Sequence, residues 1–474
     1  MVTRLQSFWE DTRGSYWFLP TVMAASAALL SLVTVALDEA VSRNYIDGLG
    51  WIYGGGPDGA RGLLSTAAGS MITVAGVVFS VAIVAMTLAS SQFGPRLLRG
   101  FIRDTRNQVV LGTFIATFLY SLLVLRTVRG GEGLADEAFV PHISVTVALL
   151  LTVASVGVLI AFIHHSSASI QAANLIARVS DGLHDAVERM YPARVGDSMP
   201  GMAADSERDL LERTDREREA GARLKSAGEG YLEAIDGERL LKAAQEAGLL
   251  VRLSRRPGDF VYREGELARA WPADKLTDAV REKMVNTFVL GKERSENQDP
   301  RFLVQQLMEV AVRALSTGIN DPVTAITCID RLSGGLAILA ERDIPSWVRV
   351  DDAGVPRVIT EPTTFVELLD DSFTEIRRHG QDGLSVVRRL LMNIEALADL
   401  VHREEDVEAL GRHAQAIVGD ARPHVHGFDE EAVQASYDSA MAAVMRARER
   451  VGRSDSHSPP RPAASAATHS PGEW

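Results

Sequence analysis

The sequence predicts a mainly α-helical protein in two parts: a four-span helical membrane domain, then a cytoplasmic α+β region with a small β-rich module and a C-terminal helical domain. Three observations carry that prediction. Four long stretches hold no Asp, Glu, Lys or Arg. Charge is unevenly divided: residues 1–177 carry 10 Arg, no Lys and 10 acids, while the remainder has 39 basic residues against 52 acidic ones. Short β-rich runs separated by turn signals then give way to amphipathic helical periodicity.

A bilayer core about 30 Å thick needs roughly 20 apolar residues in a helix. The candidate spans are 17–37, 63–91, 109–125 and 143–163, within a membrane domain of residues 1–165. The first is longer than a signal-peptide core and lacks a small-x-small cleavage site, so it reads as a retained span. Arg96, Arg99, Arg103 and Arg106 face one acid, Asp104, in the loop after the second span. The positive-inside rule places that loop, and with it both termini, on the cytoplasmic side of the membrane. Arg126 and Arg129 oppose this orientation.

The second span has an internal period. Thr66, Thr73, Ser80 and Thr87 recur every seven residues, with Gly69 and Gly76 beside them. At about 100° per residue these fall on one face. Three uses compete: close helix packing through small residues, the lining of a pore around a shared axis, and a groove for lipid or a small ligand. The following helix, opened by Pro95, gathers its four arginines within roughly an 80° arc. They suit anionic lipid head groups, or anions at a pore mouth.

The runs Phe79 to Val128 and Glu296 to Leu332 together resemble a bacterial family of predicted membrane proteins known as domain of unknown function 2254. The resemblance covers about residues 10–440 and implies four spans plus a cytoplasmic region, with no established activity. It also implies Ser-Pro-Gly before Asn-Asp-Pro, where this chain has Ser316-Thr317-Gly318.

Residues 166–227 read as a helical extension and a charged, solvated linker. His164 and His165 are adjacent, about 100° apart on a helix, which suits interfacial anchors better than metal ligands. In the module at 228–295, GYLEAI and LLVRLS read as strands, GERLLKAAQEAG as a helix, and RPGDFV and ELARAW as segments around turns. No lysine-centred turn supports a carried biotin or lipoyl group. The helical domain at 296–452 contains RALSTGINDPVTA, where Gly318 is expected to take the left-handed termination, Asp321 to cap the next helix and Pro322 to start it. Asn320, with Asp321, stays a candidate for binding or a subunit contact. A disordered tail is expected at 453–474.

No phosphate loop, HExxH or GxSxG motif occurs, and the lone Cys328 excludes an intrachain disulfide. His424 and His426 lie in a loop, and the acids Asp370-Asp371 and Glu404-Glu405-Asp406 read as solvated helix faces. The sequence therefore predicts no enzyme, no cofactor, no metal and, being acidic, no nucleic-acid partner. Two functions remain: a homo-oligomeric channel or transporter with a cytoplasmic gating domain, or a membrane-anchored sensor or scaffold that binds a small molecule or protein.

Overall fold

The computed structural model describes residues 17–40, 52–93, 105–130, 139–169, 172–191, 204–296 and 298–457. It is mostly helical and divides into two compact units, 1–175 and 176–474.

The first unit is a bundle of α1 (Phe18–Ala40), α2 (Pro57–Phe93), α3 (Thr105–Leu125) and α4 (His142–Ser169). All four are long and apolar enough to cross a membrane. Half of the apolar window of α3 is buried, against 22–28% in the other three, so α3 is the centre of the bundle. One apolar cluster joins Leu64 of α2, Tyr120 and Val124 of α3 and Val145 of α4, and a second joins Met71 and Val78 to Phe114 and Phe162. A Cβ on Gly112 would meet Met23 Sδ at 2.5 Å and the Pro20 backbone at 3.2 Å. That glycine lets α1 and α3 approach closely.

Polar side chains lock one end of this bundle. Asp38, at the end of α1, is buried and accepts hydrogen bonds from Ile143 N at 2.8 Å, Ser144 N at 2.9 Å and Ser144 Oγ at 2.6 Å. A carboxylate on the first turn of α4 satisfies donors that a helix leaves open and meets the positive end of its dipole. Tyr120 Oη extends the network, 2.8 Å from Thr34 Oγ1 and donating to Ser144 O at 3.2 Å. A little further out, His142 Nδ1 donates to Tyr53 O at 2.6 Å while Thr146 Oγ1 accepts from Tyr53 N at 2.9 Å.

Most of α5 (Ala172–Met190), from Ile176 on, belongs to the second unit; its Leu183 packs on Gly335, and the carbonyls of Glu188 and Tyr191 at its end accept from Arg342. Next comes α6 (Ala204–Arg216). The charged linker is therefore partly structural: Leu210 and Leu211 pack against Val348, Val350 and Ile359. Two apolar residues side by side among eight charges suffice to dock one edge of a helix.

Strands β1 (Ala222–Lys225), β2 (Gly230–Ile235), β3 (Leu250–Leu253), β4 (Phe260–Val261), β5 (Glu266–Trp271) and β6 (Phe288–Gly291) are interspersed with α7 (Gly237–Ala247) and α8 (Asp278–Val285). ELARAW is thus a strand, and a central one, not a turn region. The sequence hid it because Arg269 sits mid-strand; its guanidinium is buried only because Glu266 holds it by two bonds of 2.8 and 3.0 Å. Two further strands, β7 (Val348–Val350) and β8 (Pro356–Ile359), come from within the predicted helical domain and complete a five-stranded sheet ordered β1-β5-β3-β8-β7. Only the β3 and β8 pair in it is parallel. A smaller sheet runs β4-β2-β6. Leu224, Leu232, Leu240, Val251 and Leu267 form the core beneath α7.

The remaining helices are α9 (Pro300–Ala314), α10 (Pro322–Ala340), α11 (Phe365–His379), α12 (Leu384–Ala398), α13 (Glu404–Ala421) and α14 (Phe428–His457). By length and composition α10 also passes for a span. It lies in the second unit instead, with Cys328, Ile329, Leu332 and Leu336 buried and Asp330 forked onto Arg389 at 2.5 Å. Val323, on its first turn, is 71% exposed. The tail expected to be disordered from 453 starts instead as helix, since α14 runs on through His457; the rest of it lies outside the described residues.

Candidate functional site

The face of α2 turned toward the rest of its unit carries Ala60, Leu64, Ala68, Met71, Ala75, Val78, Ala82 and Ala85, all buried. At about 100° per residue, the stripe of Thr66, Gly69, Thr73, Gly76, Ser80 and Thr87 falls on roughly the opposite side. All six residues are exposed. Packing among the described residues does not explain them, because there a Cβ on Gly69 or Gly76 would meet nothing within 4 Å.

Three of the four hydroxyls on this stripe bond back to their own helix. Thr73 donates to Gly69 O at 2.8 Å, Ser80 to Gly76 O at 2.9 Å and Thr87 to Ile83 O at 2.9 Å. Their donors are thereby satisfied in an apolar surrounding, while each oxygen keeps a lone pair facing outward. Beside the stripe, Val77, Val81, Val84 and Leu88 give an apolar edge of the ordinary lipid-facing kind.

Of the four expected anion or lipid contacts, Arg96, Arg99 and Arg103 lie outside the described residues, and Arg106 is exposed on the first turn of α3. The side chains of His164 and His165 also lie outside them.

The GINDP corner resolves into backbone geometry. Gly318 does not take the left-handed conformation; Asn320 does, with φ of 49°. Asparagine is among the few side-chain-bearing residues that tolerate this region. Asn320 N donates to Ser316 O at 2.9 Å and Asp321 N to Ala314 O at 2.8 Å, which closes the end of α9. Asp321 caps α10 as expected, accepting from Thr324 N at 3.1 Å and from its hydroxyl at 2.6 Å, and these bonds hold its carboxyl below the usual range. Asn320 is therefore explained without a ligand. Asn320→Gly is expected to change stability by less than about 0.5 kcal/mol, whereas Asn320→Val should cost about 1–2 kcal/mol. Thermal unfolding of both variants in detergent checks this, and equal losses would refute the conformational explanation.

The candidates dismissed as solvated acids are better integrated than expected. Asp370 bonds His413 Nε2 at 2.7 Å, Asp371 takes a fork from Arg301, and Asp406 is fully buried. Burial pushes the Cys328 thiol up to about 12, which keeps it a neutral core side chain.

Sequence reasoning passed over one cluster entirely. Arg218, Arg252, Arg255, Arg256 and Arg269 border a single cavity of about 250 Å³ beside β3 and β5. The signal was the pair Arg255-Arg256 directly before the Pro257-Gly258 turn, read only as a turn.

Comparison with known proteins gives the family. The family model for domain of unknown function 2254, a predicted membrane protein, matches residues 13–396. The chain belongs to this family. Uncharacterized proteins of Mycobacterium bovis and Mycobacterium tuberculosis are each 33% identical to it over 411 residues, 84% of this chain and 74% of theirs. No solved structure matches. The α2 stripe, the arginine cavity and the Asn320 corner all fall inside the family match, which stops short of the expected residue 440 and leaves α13 and α14 outside it.

Proposed function

We propose that this family member is a homo-oligomeric channel or transporter of the bacterial plasma membrane, with both termini cytoplasmic and the second unit gating the path. No chemical step is assigned to it. The observation that supports the reading is the α2 face: six small or hydroxyl residues exposed on the side away from the chain's own bundle. A helix facing only lipid gains nothing from glycine, whereas small residues let backbones of neighbouring copies approach, and outward hydroxyl oxygens offer polar contacts to water and ions. Arg96, Arg99, Arg103 and Arg106 then engage anionic head groups at the cytoplasmic face.

Ion flux through liposomes carrying the purified protein tests this. Wild type is expected to conduct, and Thr73→Leu with Ser80→Leu should reduce flux several-fold while light scattering shows the same assembly. A monomer, or absence of flux across a range of potentials, would overturn the proposal in favour of a membrane-anchored sensor. Unchanged flux in the double variant would remove α2 as the lining.

A further inference from the structure

We propose that the second unit binds a small soluble phosphate ester in the arginine-bordered cavity, whether or not the spans conduct. Five guanidinium groups border the cavity; the lining carboxylates Asp215, Asp259 and Glu361, with Glu266 and Glu367 behind it, offset their charge, so the case rests on how each guanidinium is held, since arginine forks suit phosphate oxygens.

The arginines differ in how they are held. Arg252 donates to Asp215 at 2.6 Å and Thr214 Oγ1 at 3.0 Å, with Glu361 at 3.6 Å. Arg256 forks onto Glu367 at 3.1 and 3.0 Å, and Arg269 forks onto Glu266. These carboxylates restrict the guanidinium planes, and a guanidinium has five donors, so each retains some for a ligand. Arg255 is different. It is half-buried at the cavity, and no hydrogen bond or ion pair to it occurs among the described residues. A guanidinium held at a cavity with no partner among the described residues is the group that an incoming anion would engage.

Its position is set by a rigid turn. Gly258 takes φ of +95° and donates to Leu232 O at 2.8 Å, while Asp259 accepts from Arg256 N at 3.0 Å and returns a bond to Arg256 O at 3.0 Å. Arg255 and Arg256 thus leave β3 in a defined direction. Trp271 supplies a flat wall, and Asp215 and Glu361 can accept from hydroxyls on the organic part of the ester. The volume lies just under the usual range of drug-sized pockets, which suits a ligand of sugar-phosphate size.

Calorimetric titration of the full chain in detergent, with ribose 5-phosphate, inorganic phosphate and short-chain phosphatidic acid as separate probes, tests the proposal. Saturable binding of ribose 5-phosphate is expected, weakened at least tenfold in Arg255→Gln and largely kept in Arg255→Lys. Both variants should melt with wild type, because Arg255 holds no other described residue. Lack of saturable binding by ribose 5-phosphate overturns the proposal. So does equal affinity in Arg255→Gln, or preference for phosphatidic acid, which would make the site a lipid contact.

Discussion

Replacing Asp38 by Ala is expected to cost the membrane bundle about 3 kcal/mol or more, among the largest effects of any single substitution outside the apolar core. The carboxylate serves three donors at once: two backbone N–H groups of the first turn of α4 and the Ser144 hydroxyl. Its removal leaves those groups buried without an acceptor, at about 1–3 kcal/mol for each that water cannot reach. It also deletes a negative charge at the positive end of α4, worth up to about 2 kcal/mol when partly buried. Asp38→Asn keeps one acceptor oxygen and should lose roughly half as much. Amide hydrogen exchange gives a local reading: protection at Ile143 and Ser144 should fall in Asp38→Ala before the rest of α4 is affected. If protection there matches wild type, Asp38 is not the cap that joins α1 to α4.

Asp38 also shows where sequence reading stops. Apolar length finds the spans, since a helix in lipid must be nearly free of charge, so the first charged residue looks like the boundary. The candidate span ends at Leu37, and the helix runs on through Asp38 to Ala40. Whether a boundary carboxylate is solvated or caps another helix depends on a partner 105 residues away, which no local pattern encodes. The α2 stripe was legible because a seven-residue period is local. Its direction, away from the bundle, was not, because that requires knowing which face α3 occupies. Strands β7 and β8 escaped notice for a related reason: three and four residues, VRV and PRVI, are too short to establish a period and are stabilised by β3 and by Leu210 and Leu211 of α6. At the corner, the expectation of a left-handed glycine followed the commoner residue type, and the chain placed Asn320 there instead. Arg255 was invisible because a paired and an unpaired arginine look identical in one dimension.

The pH dependence of the second unit should carry the signature of Asp406. Three consecutive acids at the start of α13 look like dipole-compensating, solvated residues, and Glu404 and Glu405 are exposed. Asp406 is turned inward and has no measurable exposure. Burial pushes its carboxyl from 3.8 up to about 6, against the pull of Arg403, whose Nε lies 2.7 Å from Oδ2. Arg403 cannot give Asp406 its full attention, since it also donates to Arg342 O at 2.7 Å near the C-terminal end of α10, and Asp406 Oδ1 has no partner among the described residues. The folded protein therefore holds this proton more tightly than the unfolded chain does. Below pH 3.8 both states are protonated and the residue is neutral in the balance; between 3.8 and about 6 the unfolded chain ionises first, so stability falls as pH rises; above that the full cost persists. Two pKa units correspond to about 3 kcal/mol. The Glu266, Glu367 and Asp351 carboxyls are held below their ordinary values, so their contributions run the other way, growing as pH rises through the carboxylate range. The clean reading is consequently a difference: unfolding free energy of Asp406→Asn minus wild type, followed from pH 3.5 to 7, should climb by about 3 kcal/mol and level off near pH 6. A flat difference would mean that Arg403 fully compensates the buried charge, and a falling one that the pair stabilises the fold, because only a carboxyl whose burial outweighs its partner yields the rising sign.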